Sequence, residues 1–171
     1  PAVPSFESEG RDLPADGAPD RVAFSEFEIR IRDDIRYQPH PAFAKDANGE
    51  PLYLALPEAE IRKRFTLADF SETGTREATA EDFIYQIKRL AHPRATAPIF
   101  GHMAEYIVGL KELAEQLRAE NKKIVAAHRE KFGATDKGLP WLDLRKFDLS
   151  GVTLVDRHTF RIRIKGKYPQ F

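Results

Sequence analysis

The sequence predicts an α+β fold with a mostly antiparallel sheet and two main helices. Two runs near the ends of the chain, 27–32 and 158–164, alternate apolar and charged residues, which is the period of a strand with one buried face. Between them, 83–90 and 103–117 each carry a stripe of apolar residues three or four positions apart, which is the period of an amphipathic helix. Strands first, helices in the middle and strands last indicate an α+β arrangement.

Residues 1–21 are predicted to form a flexible segment rich in proline and glycine. This segment holds four prolines and two glycines among acidic and small residues, with no apolar period. A strand is predicted soon afterwards, at 27–32. Its two faces alternate, with Phe27, Ile29 and Ile31 on one and Glu28, Arg30 and Arg32 on the other. The apolar face is expected to lie against the core.

The segment 37–74 is predicted to be an irregular β-excursion inserted after this strand. The sequence DANG at 46–49 indicates a tight turn, because Asn and Gly tolerate the positive φ angles of hairpin turns. Pro39, Pro41 and Pro51 each lack the N–H group that a sheet ladder needs. The excursion is therefore expected at an edge of the main sheet or outside it.

Two helices are predicted in the middle of the chain. The first begins at Thr79, whose hydroxyl can cap free backbone N–H groups, and ends at His92-Pro93, because the residue before proline avoids the α region. The stripe that should place it on the core consists of Phe83, Ile87 and Leu90. The second helix is predicted from about Ile99 to Lys131, with Gly133 as its C-cap.

The end of the chain predicts a β-hairpin in which 152–155 and 158–164 flank a tight turn at Asp156-Arg157. The first strand is expected in the same sheet, where Glu28 would meet Arg161 or Arg163 across the strands. Six side chains are expected to form the core of this sheet: Phe27, Ile29, Ile31, Phe160, Ile162 and Ile164.

Composition excludes several classes of protein. Lys plus Arg equals Asp plus Glu at 27 each, so no net field attracts polyanions, and the absence of cysteine excludes disulfides and thiolate sites. No stretch approaches the ~18 apolar residues of a membrane span. A length of 171 residues suits one domain, and 22–171 is predicted to be a single α+β subdomain.

Both ends of the chain suggest a piece of a longer protein. It begins at Pro1 without the basic and apolar regions of a signal peptide, and it stops directly after a strand-like run. Any export signal is therefore expected to have been removed or to lie outside this sequence.

No catalytic residue, metal site or cofactor is predicted. His102 and Glu105 share a helix face at i, i+3, but carboxylate-bridged metal sites repeat that motif on another helix and this chain does not. No Gly-x-Ser-x-Gly elbow and no glycine-rich phosphate loop occurs. An RNA-binding basic sheet face was weighed for Arg30, Arg32, Arg161, Arg163 and Lys165. Ion pairing across the strands is favoured, because the neighbouring aromatic residues share the parity of the core.

Several stretches, taken in order, carry a resemblance to a known family. They are 27–32 (FEIRIR), 75–90 (TREATAEDFIYQIKRL), 107–110 (IVGL), 151–164 (GVTLVDRHTFRIRI) and 168–171 (YPQF). In this order they resemble the extracellular solute-binding proteins of the peptide/nickel class of ABC transporters, the family 5 type that includes dipeptide- and oligopeptide-binding proteins. The resemblance covers 24–171 and is interrupted at 37–74, where family members have a short turn.

The resemblance implies a non-enzymatic subdomain that flanks the first lobe of a periplasmic or cell-surface binding protein. Its expected partners are the remaining lobes of the same polypeptide, a peptide or other small solute and an ABC permease in the inner membrane, with no nucleic acid. The groups that hold the ligand lie mostly in other parts of such proteins, so no ligand-binding residue is assigned. The alternative is a free-standing, non-enzymatic interaction domain with the same fold, and an unrecognised hydrolase is a distant third.

Overall fold

The computed structural model describes residues 2–6, 12–13 and 22–167, and it confirms an α+β fold with an antiparallel sheet. The strands are β1 (Ala2–Phe6), β2 (Asp12–Leu13), β3 (Phe24–Arg30), β4 (Val152–Leu154) and β5 (Thr159–Lys165). They form one sheet in the order β2-β1-β3-β5-β4, in which all neighbours are antiparallel. The helices in these ranges are α1 (Glu58–Ile61), α2 (Ala80–Leu90), α3 (Phe100–Tyr106) and α4 (Leu110–Phe132).

The chain divides into two compact units. The first consists of 1–30 and 80–171 and contains the sheet with α2, α3 and α4, whereas the second is Ile31–Thr79 and contains α1. The sequence predicted one subdomain over 22–171 with an insertion at 37–74. That insertion falls wholly inside the second unit, which also takes in a few residues on either side of it.

The predicted hairpin at the end of the chain is confirmed. β4 pairs antiparallel with β5, and β3 pairs with the other edge of β5, so the strands from the two ends of the chain share one sheet. The connection is longer than the predicted two-residue turn, because β4 ends at Leu154 and β5 begins at Thr159. The Asp156 side chain holds this four-residue loop by accepting the backbone N–H of His158 at 2.8 Å.

The charged face of β3 and β5 is built from ion pairs between the strands. Glu28 stands opposite Arg161 and Glu26 opposite Arg163 in the register. The closest nitrogen–oxygen distances are 2.8 Å for the first pair and 2.9 Å for the second. The prediction that Glu28 meets an arginine of the last strand is therefore confirmed.

The apolar face of the sheet is covered most fully at β5. Phe160, Ile162 and Ile164 are buried, as predicted. Both Phe27 and Ile29 were predicted to lie in the core. The prediction is wrong for Ile29, which is 38% exposed, and only partly right for Phe27, which is half-buried. The reason is the position of the helices: α2 contacts β4 and β5, and α3 contacts β5. The helices therefore cover β3 less completely than β5.

The first predicted strand is also displaced along the chain. It was expected at 27–32, but β3 ends at Arg30. Ile31 is buried at 7% exposure, yet it belongs to the second unit and not to the sheet. Alternation alone therefore located the strand but set its end two residues too late.

The first predicted helix is confirmed, but its buried face differs from the expectation. Ile87 was expected in the core and Lys88 was not, but both side chains are half-buried. The Lys88 ammonium donates to the carbonyl oxygen of Phe147 at 2.6 Å, which draws its alkyl chain onto the protein surface. Phe83 is 44% exposed and stacks on the ring of Phe160 with centroids 6.1 Å apart.

The second predicted helix, from Ile99 to Lys131, is wrong in its continuity. It is two helices, α3 and α4, separated by 107–109, with Gly109 at a φ of +81°. Backbone pairing with the sheet causes the break: Ile107 forms an isolated bridge with Ile164, and the Val108 N–H donates to the Arg163 carbonyl at 3.1 Å. The predicted C-cap at Gly133 is confirmed, because its N–H donates to the Arg129 carbonyl at 2.8 Å.

The core of the first unit lies between the sheet and the start of α4. Its seven largest fully buried side chains are Ile107, Leu110, Leu113, Leu117, Leu142, Leu144 and Ile164. Three of them are spaced along α4 at positions 110, 113 and 117, the spacing of a single helix face. Two more come from the irregular segment after α4, which the sequence patterns did not assign to any element.

The second unit is held by turns and by contacts between aromatic rings and arginines. Arg76 lies over the rings of Tyr37 and Phe43, at 4.8 and 5.4 Å from the ring centroids. The predicted turn at 46–49 is confirmed, because the Gly49 N–H donates to the Asp46 carbonyl at 3.0 Å and Gly49 has a φ of +84°. The strand pairing of the predicted β-excursion is limited to isolated bridges outside the main sheet, and the segment also contains α1 and two short 3-10 helices.

The prediction that 1–21 forms no regular element is wrong for 2–6 and 12–13. These residues form β1 and β2, and β1 pairs with the free edge of β3. Sequence patterns missed them because backbone hydrogen bonds to an existing strand can order a segment that has little apolar periodicity of its own. The other residues of 1–21 and the YPQF run at 168–171 lie outside the described residues.

Gly151 lies too close to the 107–109 segment to carry a side chain. A Cβ atom at Gly151 would overlap the carbonyl oxygen of Val108, and the Gly151 carbonyl accepts the N–H of Arg163 at 2.7 Å. We expect Gly151→Ala to lower the free energy of unfolding by about 1–3 kcal/mol or more, measured by urea denaturation.

Gly101 in α3 is the matched control for this substitution. A Cβ atom there has no neighbour within 4 Å, so Gly101→Ala should be neutral or stabilise the protein by up to about 1 kcal/mol through helix propensity. Equal effects of the two alanines would mean that residues 108 and 151 are not in the close contact described.

The two ion pairs of the sheet should differ in strength because Glu26 is the more buried acid. Its side chain is 13% exposed and that of Glu28 is 41% exposed. In double-mutant cycles with alanine we expect a coupling free energy near 1 kcal/mol for Glu26–Arg163 and about 0.2–0.5 kcal/mol for Glu28–Arg161. Both values should fall at about 1 M salt, and the Glu28 pair should lose the larger fraction. A larger coupling for Glu28–Arg161 would contradict this ranking.

Candidate functional site

The residues weighed as metal ligands do not come together with others of their kind. His102 and Glu105 are exposed on α3, and the His102 ring contacts Tyr106 with centroids 5.0 Å apart. Across the part of the chain that the structure describes, no three His, Cys, Asp or Glu residues are grouped so as to hold a metal ion.

The basic residues weighed as an RNA-binding face are largely engaged with acids. Arg161 and Arg163 pair with Glu28 and Glu26, and Arg32 pairs with Asp34 at 3.0 Å. A guanidinium that already binds a carboxylate presents little free charge to a phosphate. These contacts favour the structural explanation of the charges over nucleic-acid binding.

A groove opens at the end of α2 and is bordered by the start of α3 and by Arg118 in the third turn of α4. Its volume is about 330 Å³. Eight residues line it, mostly small or apolar with two basic side chains: Leu90, Ala91, His92, Pro93, Ala95, Ala97, Phe100 and Arg118. We call this surface the basic groove.

Local sequence builds the wall of the basic groove. Pro93 has no N–H group and restricts His92, so α2 ends and the chain turns, with the Ala95 N–H donating to the His92 carbonyl at 3.1 Å. Arg94 then fixes the position of this loop through two hydrogen bonds. Its guanidinium donates to the Asn121 side-chain oxygen at 2.6 Å and to the Pro140 carbonyl at 2.8 Å.

His92 is a neutral imidazole at physiological pH. Partial burial lowers its pKa from the ordinary 6.5, and the positive charges of Arg94 and Arg89 lower it further. Its Nδ1 accepts the backbone N–H of Arg94 at 3.1 Å. In the neutral ring the proton therefore lies on Nε2, which makes that atom a hydrogen-bond donor.

Arg118 supplies the positive charge of the basic groove. Its guanidinium lies over the ring of Phe100, 6.0 Å from the centroid, and it has no ion pair within the described residues. Among the residues that the structure describes, no acidic residue lines the groove. The surface therefore combines an apolar wall, a neutral donor and one cation without a carboxylate partner.

Sequence reasoning missed this groove. His92-Pro93 was interpreted only as a helix end, and no sequence pattern singled out Arg118. One signal was present: no Asp or Glu occurs between Asp82 and Glu105, although Lys88, Arg89, His92, Arg94 and His102 lie between them. The packing of α4 brings Arg118 to the same groove as His92, and no local sequence pattern predicts that packing.

The second unit exposes an unusual number of large apolar side chains. The most exposed are Phe65 at 88% and Leu54 at 84%. Their neighbours in the chain, Tyr53 and Arg64, both contact the ring of Phe70, at 5.0 and 5.3 Å from its centroid. The apolar surface of the second unit comprises Leu52, Leu54, Ile61, Phe65 and Leu67.

In comparisons with known proteins, the chain matches no protein-family model, no curated protein and no solved structure. Within the described ranges, none of the helices is both long enough and apolar enough to cross a membrane.

The lowered pKa of His92 has a measurable consequence. The folded-state pKa lies below the 6.5 of the unfolded chain, so the contribution of His92 to stability is complete above pH 6.5. It is lost as the pH falls from 6.5 through the folded-state pKa. An NMR titration of the His92 ring should therefore give a midpoint below 6.5.

Arginine variants test the cause of this shift. Arg89→Gln should raise the pKa of His92, because Arg89 is one of the two cations that oppose its protonation. Arg129→Gln should leave the pKa unchanged, since Arg129 is roughly 12 Å beyond Asn121 along α4. A His92 midpoint at or above 6.5 in the unaltered chain would contradict the description of this site.

Proposed function

We propose that the chain is part of the substrate-binding component of an ABC importer of the peptide/nickel type, serving as a structural subdomain of one lobe. The observation that carries the proposal is the place of the family-like motifs in the fold. Four of them contain β3, α2, the break at 107–109 and the β4–β5 hairpin, which belong to the first unit, although 31–32 and 75–79 of these motifs fall in the second. The fifth, at 168–171, lies outside the described residues. The segment without family resemblance, 37–74, falls in the second unit.

Two of these motifs depend on each other physically. Gly151 in the hairpin motif lies against Val108, and Gly109 in the IVGL motif lies against Ser150, so that a Cβ atom at either glycine would overlap its neighbour. The two motifs, which are about 40 residues apart in the sequence, therefore meet in the first unit, and this supports treating them as parts of one structural pattern.

The proposed role is binding and not catalysis, and it requires no cofactor. A sheet covered by α2, α3 and α4 can extend and stiffen the wall of a ligand cleft formed with the remaining lobes of the same polypeptide. The proposal places the protein in the periplasm or at the outer cell surface, where it would deliver a peptide or another small solute to a permease in the inner membrane.

A second candidate function is a free-standing interaction domain, and the apolar surface of the second unit favours it. Exposed apolar residues are ordinary when single, but Leu54 and Phe65 are more than four-fifths exposed and lie in one small unit. Such a surface suits a protein partner.

Peptide binding separates these functions. One lobe's subdomain should hold di- to penta-peptides no tighter than about millimolar, or roughly 4 kcal/mol, because useful pockets enclose most of a small ligand's surface. The complete gene product should bind its own peptide at least about a thousandfold tighter. Calorimetry of the 171-residue chain and of the complete product against the same peptide library measures both affinities.

Two results would contradict the first proposal. Micromolar peptide binding by the 171-residue chain would mean that it contains a ligand site, and it would contradict the proposal that the chain serves as a structural subdomain of one lobe. A complete gene product that binds no peptide or small solute, but forms a stable complex through the apolar surface of the second unit, would favour the interaction domain instead. Replacing Phe65 by serine distinguishes that complex from non-specific association.

A further inference from the structure

We propose that the basic groove binds a small organic monocarboxylate that carries an aromatic or branched apolar body. This inference is independent of the proposed transport function, because the groove lies entirely within the first unit and needs no other lobe. It rests on the shape of the groove, on the apolar side chains that line it and on the guanidinium of Arg118, which has no ion pair among the described residues.

The apolar wall supplies the space for the body of the ligand. Small side chains at Ala91, Ala95 and Ala97 leave a volume of about 330 Å³, which is at the lower end of the range of about 300–1,000 Å³ for small-molecule pockets. Leu90 and Phe100 present larger apolar faces to the same space. Apart from His92 and Arg118, no described side chain that lines the groove carries a polar group, so a ligand that is charged throughout would have only backbone groups as further partners.

Arg118 supplies the counter-charge. The ring of Phe100 supports one face of the guanidinium, and a guanidinium supported in this way keeps its N–H fork available for the two oxygens of a carboxylate. Arg94 differs, because it already donates to Asn121 and to Pro140. Arg118 is therefore the arginine of the groove with free donors.

The charge of the groove selects a monoanion over a dianion. His92 is neutral at pH 7, so it offers an N–H donor without adding a second positive charge to that of Arg118. A carboxylate matches one guanidinium and one neutral donor. The second negative charge of a phosphate would be left without a partner against an apolar wall.

An NMR titration of this chain with 3-phenylpropionate tests the proposal. We expect the amide signals of 90–100 and of Arg118 to shift together, with a Kd of about 1–5 mM for a ligand of this size. The neutral analogue 3-phenylpropionamide, which has the same body, should bind at least about tenfold more weakly. Inorganic phosphate, which has no apolar body, should also bind at least about tenfold more weakly.

Variants of α4 assign the charge to Arg118. Arg118→Gln should weaken 3-phenylpropionate at least about tenfold, whereas Lys123→Gln, which removes the same charge about 140° around the helix, should change the Kd by less than about twofold. Arg118 is exposed, so Arg118→Gln should keep the spectrum of the folded protein.

Three results would overturn the inference. If 3-phenylpropionate and 3-phenylpropionamide bound equally well, the guanidinium would have no part in binding. If inorganic phosphate bound as well as 3-phenylpropionate, the apolar wall would have none. Equal losses in Arg118→Gln and Lys123→Gln would show attraction by overall charge without a site. None of these outcomes bears on peptide binding by the complete gene product, so failure here and failure of the transport proposal are distinguishable.

Discussion

The first unit depends on the contact between the 107–109 segment and the edge of the sheet. Val108 donates its N–H to Arg163, Arg163 donates its own to Gly151, and Gly151 leaves room for the Val108 carbonyl only because it has no side chain. This backbone contact interrupts an otherwise continuous helical pattern. It also fixes where α4 begins, and the fully buried Leu110, Leu113 and Leu117 follow from that starting point.

The basic groove is a consequence of the same constraint. Once the start of α4 is fixed, Arg118 lies one turn beyond the buried part of its helix face and beside Phe100 at the start of α3. The other wall depends on Pro93, which ends α2, and on Arg94, which binds Asn121 on α4. The basic groove, in which Arg118 has no ion pair among the described residues, thus arises from three elements that are each held in place for structural reasons.

The two units are stabilised by different means, which bears on both proposed functions. The first buries a layer of leucine and isoleucine between sheet and helices, whereas the second has few buried apolar residues and relies on Arg76 against Tyr37 and Phe43 and on Arg64 against Phe70. Contacts of that kind contribute about 0.5–1 kcal/mol each at exposed sites. A unit with so small a core and so much exposed apolar surface is suited to contact with other protein surface.

The sequence by itself determined the α+β class, the β4–β5 hairpin, α2, the turn at 46–49 and the pairing of Glu28 with an arginine. The hairpin, α2 and the turn depend on residues close together in the chain. The ion pair joins strands 133 residues apart and was predictable because both strands keep a strict period of two. The tertiary structure decided the break between α3 and α4, the exposure of Ile29 and the strands within 1–21, since each depends on which distant backbone lies alongside. The basic groove belongs to the second group, because Arg118 and His92 are brought together by packing and by no pattern along the chain.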